Sequence, residues 1–350
     1  METEIIKLDI NNIDLSKIRH AAEVLRRGGL VAFPTETVYG LGANALDKVA
    51  VRKIFEAKGR PSDNPLIAHI SDKQDLGKLI RELPPEVPRL MDRFWPGPLT
   101  MVLKKSAIVP DEVTGGLDTV AVRMPSHPVA LALIRESGVP VVAPSANTSG
   151  RPSPTEAKHV IEDMMGKIDV IIDAGSSAIG LESTVLDVTT TPPVILRPGG
   201  ITPAQLEELL RKVDISPTLT PEQMKSIKPK APGMKYTHYA PKADMLIVEG
   251  ELSKVVSKIN ELLDCYRKKG MKVGVLATDQ TSSLYPGAQV ISMGSRDNPR
   301  TIAANLFRAL RDFDERNVQL ILAEAVDRGG IGLAIMNRMT KAAGHNIIKV

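Results

Sequence analysis

The sequence is poor in cysteine and in aromatic residues. It has one cysteine in 350 residues, and Phe, Trp and Tyr together make up 3% of the chain. A single cysteine excludes an intramolecular disulfide framework and any cysteine-rich metal site. The scarcity of aromatic rings argues against a stacking platform for single-stranded nucleic acid. Cys265 lies in a helical pattern, and we expect it to be a half-buried structural residue.

The sequence also lacks long apolar runs and several familiar motifs. No apolar run approaches ~20 residues, so no membrane-spanning helix and no membrane partner are predicted. The N-terminus is acidic and has no apolar core of a signal peptide, which predicts a cytoplasmic protein. There is no G-x-x-x-x-G-K-[ST], which excludes a P-loop, and no H-E-x-x-H or C-x-x-C, which argues against a dedicated zinc site.

The composition is that of a mixed-charge globular protein. Apolar residues make up 43%, and 45 basic residues stand against 41 acidic ones, for a net charge of +4. This near balance is only a weak sign of nucleic-acid binding. A chain of this length predicts two domains, or one large domain with an appendage.

The order of predicted strands and helices indicates an α/β protein in two parts. Residues 1–213 alternate short strands with helices, and residues 214–243 are rich in proline and lysine, which predicts a linker. From residue 244 to 350 strands and helices alternate regularly. That rhythm predicts a smaller Rossmann-like α/β domain with a mostly parallel sheet.

A cationic turn lies between a predicted helix at 49–57 and a predicted strand at 66–70. The segment Lys58–Leu66 (KGRPSDNPL) contains two cations and two small polar side chains, and Gly59 with two prolines ends the helix. Such a turn can be a solvated connection. Fixed cations beside hydrogen-bonding groups are also what a polyphosphate or a carboxylate needs.

Other polar residues stand at the ends of predicted strands. Ser145 and Asn147 follow the strand 139–143, in a loop rich in donors for phosphate oxygens. Arg123 lies in an otherwise apolar strand, and a buried arginine needs an anionic partner, either a protein carboxylate or a substrate carboxylate. Arg197 repeats this pattern, and Glu182–Thr184 begins another strand. Together these strand ends predict one polar cleft.

The stretch Gly40–Ala45 matches the dinucleotide fingerprint G-x-G-x-x-A, but the polar residues 34–39 separate it from the preceding strand. We therefore predict a loop over Pro34–Gly42 (PTETVYGLG) that presents Thr35, Thr37 and backbone amides. A nicotinamide oxidoreductase is a distant alternative.

The chain resembles the YrdC-like family of threonylcarbamoyl-AMP synthases, in its long two-domain form. The motifs that carry the resemblance are Pro34–Gly42, Lys58-x-Arg60, Asn64–Leu66, Pro144–Asn147, Glu182–Thr184 and Leu196–Gly199. The resemblance covers residues 5–213, and the segment Tyr236–Pro241 with the α/β tail resembles the longer members. It implies an open, twisted mixed sheet in the first domain.

The resemblance implies a nucleotidyltransferase that joins L-threonine, bicarbonate and ATP into threonylcarbamoyl-AMP and pyrophosphate. This is the first step towards N6-threonylcarbamoyladenosine at position 37 of tRNA. Mg²⁺ is expected with the triphosphate. A downstream tRNA threonylcarbamoyl-transfer complex would receive the product. The chemistry needs positioning and charge neutralisation rather than a covalent nucleophile.

The matching positions imply a role for each motif residue. Lys58 and Arg60 would be catalytic. ATP would contact Arg60, Asn64, Thr119, Ser145, Asn147, Ser153, Arg197, Tyr236 and His238. Threonine would contact Thr37, His69, Arg123, Ala143 and Ser183. The linker would return over the active site, and no protein metal ligand is implied.

Two further functions remain as alternatives. The fold is also described as an RNA-binding scaffold, so a tRNA- or double-stranded-RNA-binding module without ATP turnover, or weak RNA binding beside the synthase activity, is a second hypothesis. A carbamoyl-transfer enzyme would need acylphosphatase-like and zinc-finger regions, and one cysteine leaves the latter missing.

Overall fold

The structure, a computed structural model, describes residues 1–217 and 239–350. Its internal contacts divide the chain into two compact units. One unit holds Met1–Ser149, Ser153–Ala178 and the described residues from Glu182 onward up to 217. The other holds Gly150–Pro152, Ile179–Leu181 and residues 239–350.

The first unit is organised around an 11-stranded sheet. Its strands are β1 (Glu4–Lys7), β2 (Val31–Phe33), β3 (Gly40–Asn44), β4 (Ile67–His69), β5 (Leu99–Lys104), β6 (Thr119–Arg123), β7 (Val141–Val142), β8 (Val170–Asp173), β9 (Thr184–Asp187), β10 (Val194–Arg197) and β11 (Asp214–Ile215). They lie in the order β1-β8-β2-β3-β7-β4-β6-β5-β9-β10-β11. The sheet contains parallel pairs such as β4 with β6 and antiparallel pairs such as β5 with β6, so it is mixed, as predicted.

The helices of this unit are α1 (Leu15–Arg26), α2 (Lys48–Lys58), α3 (Leu76–Leu79), α4 (Val87–Phe94), α5 (Asp111–Thr114), α6 (Pro128–Ser137), α7 (Ala157–Met164) and α8 (Pro203–Glu207). A 3₁₀ turn, Lys73–Asp75, precedes α3. Helix α1 is a typical amphipathic helix, because Ile18, Ala21, Ala22 and Leu25 are buried on one side of it. Asp14 caps its N-terminus by accepting from the Ser16 N–H.

Two large hydrophobic clusters form the core of the first unit. One includes Leu41, Ile54, Leu66 and Met101, and the other includes Ile18, Phe33 and Ile172. A third, small cluster joins Ile67, Val102, Ala121 and Val185. Three of these four residues pair in register across β4, β6 and β5, so their side chains lie on the same face of the sheet.

The loop predicted over Pro34–Gly42 is shorter than expected. Its last three residues belong to β3, which pairs antiparallel with β2. The reason is close packing: a Cβ on Gly42 would lie 2.8 Å from Phe33 Cε1 and 2.9 Å from Val141 Cγ1. These glycines therefore serve sheet packing rather than a dinucleotide turn. Helix α8 ends at Glu207, and Asp214–Ile215 at the start of the predicted linker pairs with β10.

The second unit has a five-stranded sheet built from β12 (Asp244–Glu249), β13 (Val273–Ala277), β14 (Gln289–Ser292), β15 (Leu320–Glu324) and β16 (Ile347–Lys349). Its order is β14-β13-β15-β12-β16 and every pairing is parallel. Helices α9 (Leu252–Lys268), α10 (Pro299–Glu315) and α11 (Gly332–Ala342) connect the strands, with a 3₁₀ turn at Ser282–Leu284. The predicted parallel α/β architecture is confirmed.

A buried carboxylate ties together the carboxyl ends of β13 and β15. Glu324 is fully buried and accepts from Thr278 Oγ1 at 2.9 Å and from Arg296 Nη2 at 2.8 Å. Its second oxygen accepts from the Tyr285 hydroxyl at 2.6 Å. Burial and this neighbouring carboxylate raise the pKa of Tyr285.

Arg311 and Cys265 lie on two helices of the second unit. Arg311 on α10 is buried and donates from Nη2 to the carbonyl of Pro152 at 2.7 Å. Cys265 on α9 is exposed, so the expectation that it is half-buried is wrong: it follows the buried Leu263 by two residues, which places it on the opposite side of the helix. Among the described helices, none is both long enough and apolar enough to cross a membrane.

Candidate active site

The predicted amino-acid-binding residues lie at one end of two neighbouring parallel strands. His69 ends β4, Arg123 ends β6, and the two are partners in the register. Thr119, at the other end of β6, is on the same face as Arg123 because side chains alternate along a strand. At roughly 3.3 Å per residue, these two residues lie about 13 Å apart along the strand. The face between them carries Ala121 of the small apolar cluster.

A chain of hydroxyl groups connects Arg123 to the loop between β2 and β3. Arg123 Nη1 donates to Thr37 Oγ1 at 2.9 Å, and Thr37 Oγ1 lies 2.8 Å from Thr35 Oγ1. Because Thr35 Oγ1 donates to the Val38 carbonyl at 2.6 Å, the proton between the two threonines belongs to Thr37. Thr37 is therefore oriented as an acceptor towards Arg123.

Arg123 has an ionic partner, Glu36, that was not among the site residues predicted from the sequence. Glu36 Oε1 lies 2.6 Å from Arg123 Nη2, and their side chains are 10% and 4% exposed. Burial alone would raise the pKa of Glu36, but the charge and hydrogen bonding of Arg123, together with backbone N–H groups of Glu36 and Ser126, hold that pKa below its usual range. The buried arginine thus has a protein carboxylate beside it. The signal in the sequence was an acidic residue between Thr35 and Thr37, inside the loop predicted to present both threonines.

His69 is a neutral imidazole in this environment. Burial, followed by the positive charge of Arg123, lowers the pKa of His69 to about 3. Its Nδ1 lies 3.1 Å from the carbonyl of Ile67, which can only accept, so Nδ1 carries the proton. Nε2 is then the acceptor nitrogen of the ring.

Ser183 and Arg197 are joined at the start of β9 and the end of β10. Arg197 is buried and donates from Nη2 to Ser183 O at 3.0 Å and to Ser183 Oγ at 3.1 Å. The Ser183 hydroxyl also lies 2.8 Å from Thr100 Oγ1 on β5. Since Thr100 is the register partner of Arg123, these contacts bring Ser183 and Arg197 to the end of the sheet where Arg123 lies.

The cationic turn is joined to the loop after β7. Gly59 ends α2 in the left-handed conformation, with φ of 60°, as predicted from its position. Lys58 is buried, and its Nζ donates to the carbonyls of Ser145 and Asn147 at 2.5 Å each. The N–H of Ser149 returns a hydrogen bond to the carbonyl of Lys58. Lys58 and this loop, predicted separately from the sequence, therefore lie side by side.

Asn64 has an unusual environment. It is fully buried, and neither its Oδ1 nor its Nδ2 has a hydrogen-bond partner among the described residues. Arg60 approaches from the same turn, with Nη2 3.3 Å from the carbonyl of Asn64. A buried amide with unfilled hydrogen-bonding capacity costs about 1–3 kcal/mol.

The other residues predicted to bind ATP or threonine make contacts within the protein where the structure describes them. Ser145 is half-buried and bridges to Gly40 of β3 through the backbone. The Asn147 amide donates to the Thr148 carbonyl, and Ser153 donates to Glu182 Oε1 at 2.6 Å. Ala143 follows β7 and donates its N–H to the carbonyl of Ile67. Tyr236 and His238 lie outside the described residues. Within the described ranges there is no group of three or more His, Cys, Asp or Glu residues that could hold a metal ion.

Comparison with known families covers nearly the whole chain. A family model described as "Telomere recombination", named for Sua5, YciO and YrdC, matches residues 23–199. A second, described as "Threonylcarbamoyl-AMP synthase, C-terminal domain", matches residues 201–344. The chain belongs to the threonylcarbamoyl-AMP synthase family.

Relatives of similar length bear this out. The chain is 55% identical to the threonylcarbamoyl-AMP synthase of Pyrococcus abyssi, over 95% of this chain and 96% of that one. It is 52% identical to the threonylcarbamoyl-AMP synthase of Bacillus subtilis, over 95% and 94% of the two chains. It also superposes on a crystal structure of P. abyssi Sua5 complexed with L-threonine, with a TM-score of 0.93, 53% identity and coverage of 99% and 100%.

Membership of this threonylcarbamoyl-AMP synthase family confirms the resemblance drawn from the motifs, and with it the prediction of a nucleotidyltransferase. An RNA-binding module without ATP turnover is not favoured, because the matched relatives are synthases along their whole length.

Proposed function

We propose that this chain condenses L-threonine, bicarbonate and ATP into threonylcarbamoyl-AMP, pyrophosphate and water. The observation that carries the proposal is its similarity, from end to end, to threonylcarbamoyl-AMP synthases, one of them crystallised with L-threonine. In the proposed reaction the threonine amine and bicarbonate form a carbamate with loss of water. A carbamate oxygen then attacks the α-phosphorus of ATP, and pyrophosphate leaves.

The amino acid would bind where β4 and β6 end. The positive charge of Arg123 suits the threonine carboxylate, and Ser183 beside Thr100 can add a hydroxyl donor. A neutral His69 with an acceptor nitrogen suits the substrate hydroxyl, as does the acceptor orientation of Thr37. The backbone of Ala143, next to Ile67, would complete the pocket.

The nucleotide would bind along the same face, towards Asn64 and Thr119. Lys58 and Arg60 are the cations we assign to the phosphates and the carbamate, where negative charge must be neutralised as the bond forms. The unfilled amide of Asn64 supports a direct contact with ATP. Ser145, Asn147, Ser153 and Arg197 are the remaining proposed contacts. Mg²⁺ would enter with the triphosphate, held chiefly by phosphate oxygens.

The product would then be passed on. Threonylcarbamoyl-AMP is a mixed anhydride, so a complex that transfers its acyl group to tRNA must consume it, and we place this step in the cytoplasm. Direct binding of tRNA by this chain would be weak. Residues 1–213 would form the catalytic domain and 244–350 a second domain. We propose that the linker between them brings Tyr236 and His238 to the nucleotide.

The test is pyrophosphate release from ATP and bicarbonate, with and without L-threonine, using L-serine as the control amino acid. We expect release that depends on threonine, together with a product of the mass of threonylcarbamoyl-AMP. Absence of release alongside salt-sensitive binding of tRNA would reject the synthase and leave an RNA-binding scaffold. Equal release with serine would keep the reaction but reject threonine as the specific substrate.

A further inference from the structure

We infer that Glu36 binds the α-ammonium group of the amino-acid substrate, opposite Arg123. This inference rests on the proposed function and adds a substrate-binding residue to it. Glu36 lies between Thr35 and Thr37 in the loop that contacts Arg123 at the end of β6, and it is 8% exposed.

The carboxylate of Glu36 has capacity that the protein does not use. Arg123 Nη2 lies 2.6 Å from Oε1, and the backbone N–H groups of Glu36 and Ser126 also act on the carboxylate. None of these contacts has the geometry of a full hydrogen bond to either oxygen within the described part of the chain. An ionised carboxylate can accept about four hydrogen bonds, and leaving buried acceptors unfilled is costly. Three N–H donors of an ammonium group would fill them.

The guanidinium of Arg123 is already engaged along both of its edges. Nε donates to the carbonyl of Gly97 at 3.2 Å, and Nη1 donates to Thr37. Nη2 faces Glu36. A substrate carboxylate can therefore pair bidentately with Arg123 only if one protein partner gives way. Glu36 can release Arg123 and still have its negative charge compensated if it binds the α-ammonium group of the substrate.

Charge complementarity selects the ligand. Arg123 and Glu36 form a neutral, buried pair of opposite charges, and an α-amino acid carries the same two charges one carbon apart. When the substrate binds, the Arg123–Glu36 pair would be replaced by two ion pairs, one between Arg123 and the substrate carboxylate and one between Glu36 and the substrate ammonium. Every charge then keeps a partner. The two histidines near Glu36 do not compete for this role, because burial lowers the pKa of both His69 and His127 and leaves them neutral.

The test compares L-threonine with (3R)-3-hydroxybutanoate, which keeps the carboxylate and the hydroxyl but has no amine. Calorimetric titration of the full chain, without ATP or bicarbonate, should give about tenfold or more tighter binding of threonine by the unchanged protein. In Glu36→Gln, threonine should weaken by about tenfold or more, while the analogue changes by less than about threefold. Glu36→Asp should retain the preference for threonine.

Control variants separate this role from a structural one. Glu112→Gln alters another Arg–Glu pair, with Arg52 at 2.5 Å, and should leave both affinities unchanged. Arg123→Gln should weaken both ligands, since both carry the carboxylate. Equal weakening of threonine and analogue by Glu36→Gln would overturn the inference, because Glu36 would then act only by holding Arg123. An unchanged preference would overturn it as well. Failure of the unchanged protein to bind threonine would instead reject the proposed function.

Discussion

His69 and Arg123 are register partners on neighbouring parallel strands, so a neutral imidazole and a guanidinium leave the same face of the sheet at the same end. The two residues affect each other unequally. The positive charge of Arg123 adds to burial in lowering the pKa of His69, while Glu36 partly opposes it. The carboxylate and the cation are thus held charged beside a histidine that is held uncharged.

This arrangement predicts that acid destabilises the protein through His69. In the unfolded chain His69 takes up a proton near its ordinary pKa of 6.5, but in the fold its pKa is about 3. Stability from this group is therefore complete above about pH 6.5 and falls as pH drops towards 3. Between about pH 7.5 and pH 5, His69→Gln should reduce the loss of unfolding free energy by about 2 kcal/mol. Urea unfolding at the two pH values measures this loss of unfolding free energy. His20→Gln is the control: this histidine is exposed and lies beside Glu4, and its replacement should leave the loss at the value of the unchanged protein.

Asn64→Leu should separate stability from nucleotide binding. The side-chain amide of Asn64 is buried without partners among the described residues, so removing it should leave the melting temperature equal or higher. Affinity for ATP should nevertheless fall by about tenfold or more. Ser137→Ala, where a buried hydroxyl donates to the Ile134 carbonyl at 2.7 Å, should show the opposite pattern, with lower stability and unchanged affinity. A clearly destabilised Asn64→Leu with normal ATP binding would contradict a ligand role.

Thr35 should act on threonine binding through Thr37. Its hydroxyl accepts the Thr37 proton and lies 3.2 Å from the N–H groups of Thr37 and Val38. Thr35→Val should raise the KM for threonine about tenfold, with the KM for ATP nearly unchanged, since the acceptor orientation of Thr37 is lost. Thr35→Ser keeps the hydroxyl and should restore the KM for threonine. Steady-state pyrophosphate release provides both constants, and a parallel rise in both would argue against this chain of hydroxyls.

Tyr285→Phe should destabilise the second unit without affecting substrates. The change leaves Glu324 Oε1 without its hydroxyl donor in a buried site, at a cost of about 1–3 kcal/mol. Tyr266→Phe is the matched control, because the Tyr266 ring is half-buried and packs under the Lys269 ammonium rather than against a carboxylate. Chemical denaturation followed by circular dichroism distinguishes the two. Equal stability of both variants would show that the Tyr285 hydroxyl contributes nothing.

The sequence patterns predicted the positions of helices and strands better than they predicted which side chains contact each other. Gly59 after a helical pattern fixed the end of α2, and strand ends at Arg123 and Arg197 were visible as polar residues in apolar runs. The pairing of Glu36 with Arg123 was not predictable, because it depends on which strands become neighbours in the sheet. The same is true of Gly40–Asn44, where packing against Phe33 and Val141 decides that a glycine-rich stretch is a strand. Cys265 shows the limit of helical periodicity, since one residue more or less on a helix turns a side chain outward.

The joining of Ser183 and Arg197 has a consequence during synthesis on the ribosome. Ser183 directly precedes β9 and Arg197 ends β10, yet the Ser183 hydroxyl contacts Thr100 on β5, which emerges much earlier. A nascent chain that has exposed Arg123 and His69 still lacks this side of the pocket. If Ser183 contacts threonine as we propose, capacity to bind the amino acid should arise abruptly, only after Ser183 and Arg197, which donates to it, have left the exit tunnel.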